Sequence, residues 1–200
     1  MIVERSNFYV VAGGPGSGKT ALIESASGAR AALRGRVHSE DHPQQVKIGG
    51  YGLHWKDQTI FRELILSWSI EAFESVSERM RPVFFDRGIP ELLGDVIEEG
   101  PIRRKSPLSD RAAELKHVQR AAELFRYNGK VFMAPPWEEI YCTDTERKGD
   151  FHHAIEAYRA TVDVYLKCGY SLIELPCVPP EIRASFVMEQ ISALADPESK

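Results

Sequence analysis

Along this chain, short apolar runs alternate with longer stretches whose apolar positions recur at helical spacing. Short, continuous apolar runs suit strands buried on both faces, and amphipathic stretches between them suit helices that cover those faces. The pattern predicts an α/β fold of three layers, with a mostly parallel five-stranded sheet and helices on both sides. The run Phe8-Tyr9-Val10-Val11-Ala12 stops at glycine and reads as the central strand, followed by a helix from Lys19 to about Ser27. Arg36 to Ser39 reads as a second strand, and Gly49-Gly50-Tyr51-Gly52 as a loop. Ile60, Leu64, Ile65, Trp68, Phe73 and Val76 recur at helical spacing between Thr59 and Glu78.

Val83-Phe84-Phe85 is the third predicted strand and stops at Asp86-Arg87-Gly88, where Pro90 is placed to open a helix ending near Gly100. A helix from about Ser109 to Asn128 is expected to end at Gly129, before a strand from Val131 to Ala134 closed by Pro135-Pro136. The polar connection Thr143 to Asp150 leads into a helix from about Phe151 to Lys167. Ser171 to Leu175 is the last strand, and Pro179-Pro180 open a final helix to about Leu194. Ligands of such sheets sit beyond the carboxyl ends of the strands, where Gly13, Glu40, Asp86, Pro135 and Pro176 fall.

Composition adjusts this picture only at its edges. A chain of 200 residues fits one domain, expected over residues 1–195 with a loose tail at 196–200. The formal charge of −4 argues against a protein that wraps nucleic acid, and the basic run Arg103-Arg104-Lys105 reads as a solvated loop between prolines. Cys142, Cys168 and Cys177 lack the close pairing of a metal knuckle or redox dithiol, which suits a reducing, cytoplasmic setting. The first residues show no cleavage-site pattern, and no apolar run approaches the ~18 residues of a membrane span.

The chemistry concentrates at residues 13–20, Gly-Gly-Pro-Gly-Ser-Gly-Lys-Thr, which match the spacing G-x-x-x-x-G-K-[ST] between a strand and a helix. Glycines let successive backbone N–H groups converge on an anion, and the helix N-terminus adds partial positive charge. Gly13, Gly14, Pro15, Gly16, Ser17, Gly18, Lys19, Thr20 and Ala21 are therefore the candidate nucleotide contacts. Lys19 would meet the β- and γ-phosphates of ATP or GTP, and Thr20 would offer its hydroxyl to Mg²⁺.

Asp86 ends an apolar strand, as a carboxylate near such a metal would, although an Asp there also serves to cap the following helix. Arg87 beside it suits a phosphate-facing cation. In the polar segment near 143–151, Arg147 and Lys148 could neutralise charge on a transferring phosphoryl group, or form part of a solvated helix-entry loop.

The runs GGPGSGKT, FFDRG, PPWEEIYCTDTERKGDF and GYSLIELP together resemble the NadR-like P-loop ATPase group, which includes ribosylnicotinamide kinase domains. The resemblance covers nearly the whole chain and implies a compact kinase-like fold with a phosphate-covering lid over about 143–151. It implies site roles for Asp86 and Arg87, and a lid carrying Asp144 and Arg147, with Arg147 as phosphate clamp. The family's Trp-x-Asp run corresponds here to Trp55 and Asp57, which places both near an acceptor pocket; an exposed anchor and a helix cap are the alternative. The family's Glu is followed three residues later by Arg, whereas Glu40 here is followed by Asp41-His42-Pro43. Glu40 stands as a candidate substrate contact or as part of a surface turn.

Two functions fit these residues. One is a Mg²⁺-dependent kinase that moves the γ-phosphoryl group of ATP to a small-molecule hydroxyl; the other is a slowly hydrolysing switch or binding module. The missing Asn-Lys-x-Asp run favours adenine over guanine, and a chain of this size lacks room for the extra helical domain of a remodelling machine.

Overall fold

A computed structural model describes residues 1–29, 35–36, 58–76, 82–98, 108–141 and 150–195. The order begins β1 (Val3–Glu4), β2 (Phe8–Gly13), α1 (Lys19–Ala29), β3 (Gly35–Arg36), α2 (Gln58–Ser75), β4 (Val83–Asp86), α3 (Glu91–Glu98) and α4 (Leu108–Leu124). It continues through β5 (Phe125–Arg126), β6 (Lys130–Ala134), a 3₁₀ turn at Glu138–Ile140, α5 (Phe151–Lys167), β7 (Ser171–Glu174) and α6 (Pro180–Ala195).

Five strands form one parallel sheet in the order β3-β4-β2-β6-β7. β2 lies at its centre and is buried along its whole length, as an uninterrupted apolar run requires. Successive residues of β2 serve opposite faces. Phe8, Val10 and Ala12 join a core with Phe73 of α2, Ala121 and Ala122 of α4, and Tyr165 of α5. Tyr9 and Val11 join a second core with Leu22 and Ile23 of α1 and with Ala184 and Val187 of α6. The three-layer α/β prediction therefore holds.

The aromatic packing fixes β4 against β2. Phe8 lies 5.1 Å from Phe73 and 5.1 Å from Phe85 between ring centroids, and Phe85 lies 5.2 Å from Tyr127. Each buried ring contributes ~1.5–3 kcal/mol relative to exposure, so the register that puts Asp86 opposite Val11 is firmly held.

Among the boundaries that differ from expectation, three bear on the site and the sheet. Asp86 is the last residue of β4 and not the first residue beyond it. The second strand is observed as Gly35–Arg36, and 37–39 lie outside the described residues. The helix predicted to reach Asn128 stops at Leu124, because Phe125 and Arg126 leave it to pair in parallel with Val3 and Glu4. That two-stranded sheet was not anticipated. Asn128 then turns the chain into β6: its backbone N–H donates to the Phe8 carbonyl at 2.7 Å, and its Oδ1 accepts from Lys130 N–H at 2.9 Å. By contrast, α5 matches its predicted span, with the Asp150 side chain capping it by accepting from His153 N–H at 2.9 Å.

Candidate functional site

The loop between β2 and α1 has the composition that its backbone demands. Gly16 has φ 73°, and a Cβ there would lie 2.7 Å from the Tyr141 ring, so both conformation and space exclude a side chain. Lys19 is buried, with Nζ donating to the carbonyls of Gly13 at 3.1 Å and Gly14 at 2.7 Å and to Ser17 Oγ at 3.3 Å. Its ammonium is thus folded over the loop's own backbone. Ser17 Oγ donates to the Gly14 carbonyl at 2.9 Å, while Thr20 and Ala21 open α1 on its exposed side.

Thr20 Oγ1 donates to Asp86 Oδ2 at 2.7 Å, joining the first turn of α1 to the end of β4. A hydroxyl and a carboxylate oxygen at this separation form a hard, oxygen-only donor pair suited to Mg²⁺, which keeps several waters and takes phosphate oxygens for its remaining positions. Among the described residues no group of three His, Cys, Asp or Glu side chains could hold a metal. A cation shared with a nucleotide does not require one.

Arg87 follows Asp86 and has φ 75°, the single positive φ of a non-glycine among the described residues. Its backbone N–H donates to the Val11 carbonyl at 3.2 Å, and its Nη1 donates to Glu91 Oε2 at 2.7 Å. Glu91, a residue that the sequence reading did not single out, is buried on the first turn of α3 and accepts the Tyr165 hydroxyl at 3.1 Å. Burial raises its carboxyl above the ordinary value, while the positive charges of Arg87 and Lys19 work against that rise. The Tyr165 hydroxyl is pushed well up, first by burial and then by the charge of Glu91.

A second unforeseen residue closes the other flank. Arg183 on α6 is 1% exposed; its Nε donates to the Pro176 carbonyl at 2.7 Å and its Nη1 to the Ser17 carbonyl at 2.7 Å. Its guanidinium lies 5.0 Å from the Trp137 ring centroid, and burial lowers its pKa. Tyr141, whose ring rests against Gly16, donates its hydroxyl to the Asp150 carbonyl at 3.1 Å. These two residues bracket 142–149.

Gly13–Thr20, Asp86 and Arg87 therefore come together at the carboxyl edge of the sheet. Arg147, Glu40, Trp55 and Asp57 lie outside the described residues, as do Asp144 and Lys148.

A strand, glycine loop and helix in this arrangement, on a parallel sheet of this order, define a P-loop α/β protein of kinase-like architecture. The chain belongs to the AAA domain family, whose model matches residues 8–183. No curated protein matches it in sequence. It shares its fold with a deoxyadenosine kinase from M. mycoides with dCMP and dCDP bound, at 10% identity and TM-score 0.60 over 94% of this chain and 99% of that one. The same enzyme with dCTP bound gives TM-score 0.55 at 11% identity, covering 93% and 99%. The YorR protein of Bacillus subtilis, in complex with phosphorylated GDP, gives TM-score 0.50 at 12% identity, covering 94% and 97%. Among the described residues no helix is long and apolar enough to cross a membrane.

Proposed function

We propose that this chain is a Mg²⁺-dependent kinase that transfers the γ-phosphoryl group of ATP to the hydroxyl of a small molecule, within a single domain whose lid spans about 143–151. The observation that carries the reading is the 2.7 Å hydrogen bond from Thr20 Oγ1 to Asp86 Oδ2. It aligns two oxygen donors beside a glycine loop that would hold a metal and the nucleotide's phosphates. The NadR-like pattern of the FFDRG and PPWEEIY runs supports the same assignment and extends it to Arg147.

In this reading the backbone N–H groups of residues 13–21, Pro15 excepted, hold the phosphates, and Lys19 exchanges the Gly13 and Gly14 carbonyls for the β- and γ-oxygens. Thr20 and Asp86 would hold Mg²⁺, which would supply positive charge to the phosphate oxygens. The acceptor oxygen attacks the γ-phosphorus as the bond to the β–γ bridging oxygen breaks and ADP departs, and Asp86 either takes the hydroxyl proton or helps hold the metal. Arg87 and Arg147 neutralise the equatorial oxygens in the transition state. Glu40, Trp55 and Asp57 serve the acceptor. GTP is the alternative donor, and a reducing cytoplasmic setting suits the free Cys168 and Cys177.

Incubation with ATP·Mg²⁺ and a panel of deoxynucleosides, nucleosides, sugars and cofactor precursors tests the reading. Acceptor-stimulated ADP release that Lys19→Ala abolishes supports it; uniformly slow hydrolysis with every acceptor sinks it.

A further inference from the structure

Glu91 occupies a position where an apolar side chain would pack. It is 7% exposed, yet it carries a carboxylate held from two sides, by Arg87 Nη1 at 2.7 Å and by the Tyr165 hydroxyl at 3.1 Å. An ion pair between residues four apart ordinarily sits in solvent and contributes little. This one is different in three respects. Its carboxylate is buried, which is costly unless its partners are well aligned. Its cation stands on the non-glycine residue with φ 75°, a conformation that persists only when its surroundings impose it. Its third member reaches it across Gly88, where a Cβ would come 2.9 Å from the Tyr165 hydroxyl, so residue 88 is kept bare to admit that contact.

All three features act on the direction of one guanidinium, immediately after the carboxylate that bonds Thr20. Tyr165 links the arrangement to α5, the helix that follows the 142–149 segment. We propose that Glu91 is a positioning residue, held by Tyr165, that fixes the Arg87 guanidinium toward the phosphoryl group in transfer. This rests on the kinase reading of the site, in which Arg87 meets that group.

The test is the ratio of affinities for ADP·Mg²⁺ with and without aluminium fluoride, a mimic of the phosphoryl group in transfer, measured by calorimetry beside the melting temperature. Glu91→Ala and Arg87→Ala should each reduce the gain from fluoride by about tenfold, the scale of one charged hydrogen bond. The double variant should be no worse than either single variant, because both remove the same contact. Glu91→Gln, whose amide oxygen still accepts from Arg87, should recover part of the gain.

A wild-type chain that gains nothing from fluoride overturns the kinase reading and this inference with it. A wild-type gain that Glu91→Ala leaves intact, or additive losses in the double variant, overturns the inference alone. If Glu91→Ala does not fold, Glu91→Gln and Tyr165→Phe carry the test, and an undiminished gain in both overturns it.

Discussion

The two strands beside β2 end in opposite chemistry. β4 runs into Asp86 and Arg87 and then, on α3, Glu91, so that its flank of the phosphate loop is held by side-chain charges that pair with one another. β6 runs into Pro135, Pro136 and Trp137, and its flank is held by one buried cation, Arg183, which donates to two backbone carbonyls beneath an aromatic ring. Among the described residues no carboxylate pairs with Arg183. Its charge is met by carbonyl dipoles, a π face and the Cys177 thiol. The first flank therefore carries groups whose charge can change, whereas the second is a fixed support on which the loop rests.

The largest effect expected from breaking this asymmetry is on the charged flank. Asp86→Ala removes the carboxylate that meets Thr20, and Mg²⁺-dependent turnover should fall by about 10²–10³, the scale of a lost electrostatic contact in phosphoryl transfer. Its melting temperature should change little, since Asp86 is half-buried at a strand end. Turnover that kept its Mg²⁺ dependence in this variant would remove Asp86 from the proposed metal site.

On the second flank the order reverses, with stability hit before chemistry. Arg183→Leu leaves the Ser17 and Pro176 carbonyls without their donor, at a cost of about 3 kcal/mol, or roughly 6–12 °C in melting temperature for a domain of this size. Nucleotide affinity should weaken as the loop loosens. Arg183→Lys should restore at most one of the two bonds, because a single ammonium cannot span both carbonyls as a guanidinium fork does. Thermal melts of the two variants decide the matter: equal stability of wild type and Arg183→Leu would contradict a supporting role.

The flanks also differ in how far sequence reveals them. Gly13–Thr20 is legible because its spacing encodes local backbone geometry, and Asp86 because an apolar run ending in a carboxylate marks a strand tip. Glu91, read alone, is an ordinary acid on the first turn of a helix after Pro90. Only the fold brings it to Tyr165, 74 residues away, and Arg183 to Ser17 across 166 residues. Neither pairing leaves a spacing or a composition to read. β1 and β5 were hidden for another reason: two-residue strands are too short to show periodicity. Within the five-stranded sheet, by contrast, β2, β4 and β6 were legible from their buried apolar runs.

A pH experiment sharpens the charged side of the comparison. A carboxyl whose folded value lies above its ordinary 4.5 binds its proton at higher pH in the folded chain than in the unfolded one. The penalty of the buried charge is then fully present above the raised value and disappears as pH falls through it toward 4.5. Lys19 and Arg87 limit that penalty, while Tyr165 and Tyr127 are pushed up and stay neutral throughout. Glu91→Gln should therefore melt above wild type at pH 7, by roughly 1 kcal/mol, with the gap closing on acidification. A gap independent of pH would show that the carboxyl is not the source. More stability with weaker fluoride binding in one variant is the trade expected where a buried charge serves function.

The smallest expected effect tests whether the aromatic member of the second flank matters in itself. Trp137 is half-buried and lies over the Arg183 guanidinium, while its Nε1 donates to Glu139 Oε2 at 3.1 Å in an exposed contact. Trp137→Ala should cost about 1 kcal/mol, the value of a partly solvated cation–π contact, and Trp137→Phe should recover most of it because the ring face is kept. The Arg183 bonds to Ser17 and Pro176 do not depend on the ring, so the loss should nearly vanish in an Arg183→Leu background. If Trp137→Ala costs as much there as in wild type, the ring acts by packing alone. The second flank would then rest on the two carbonyl bonds of Arg183, without help from the aromatic face.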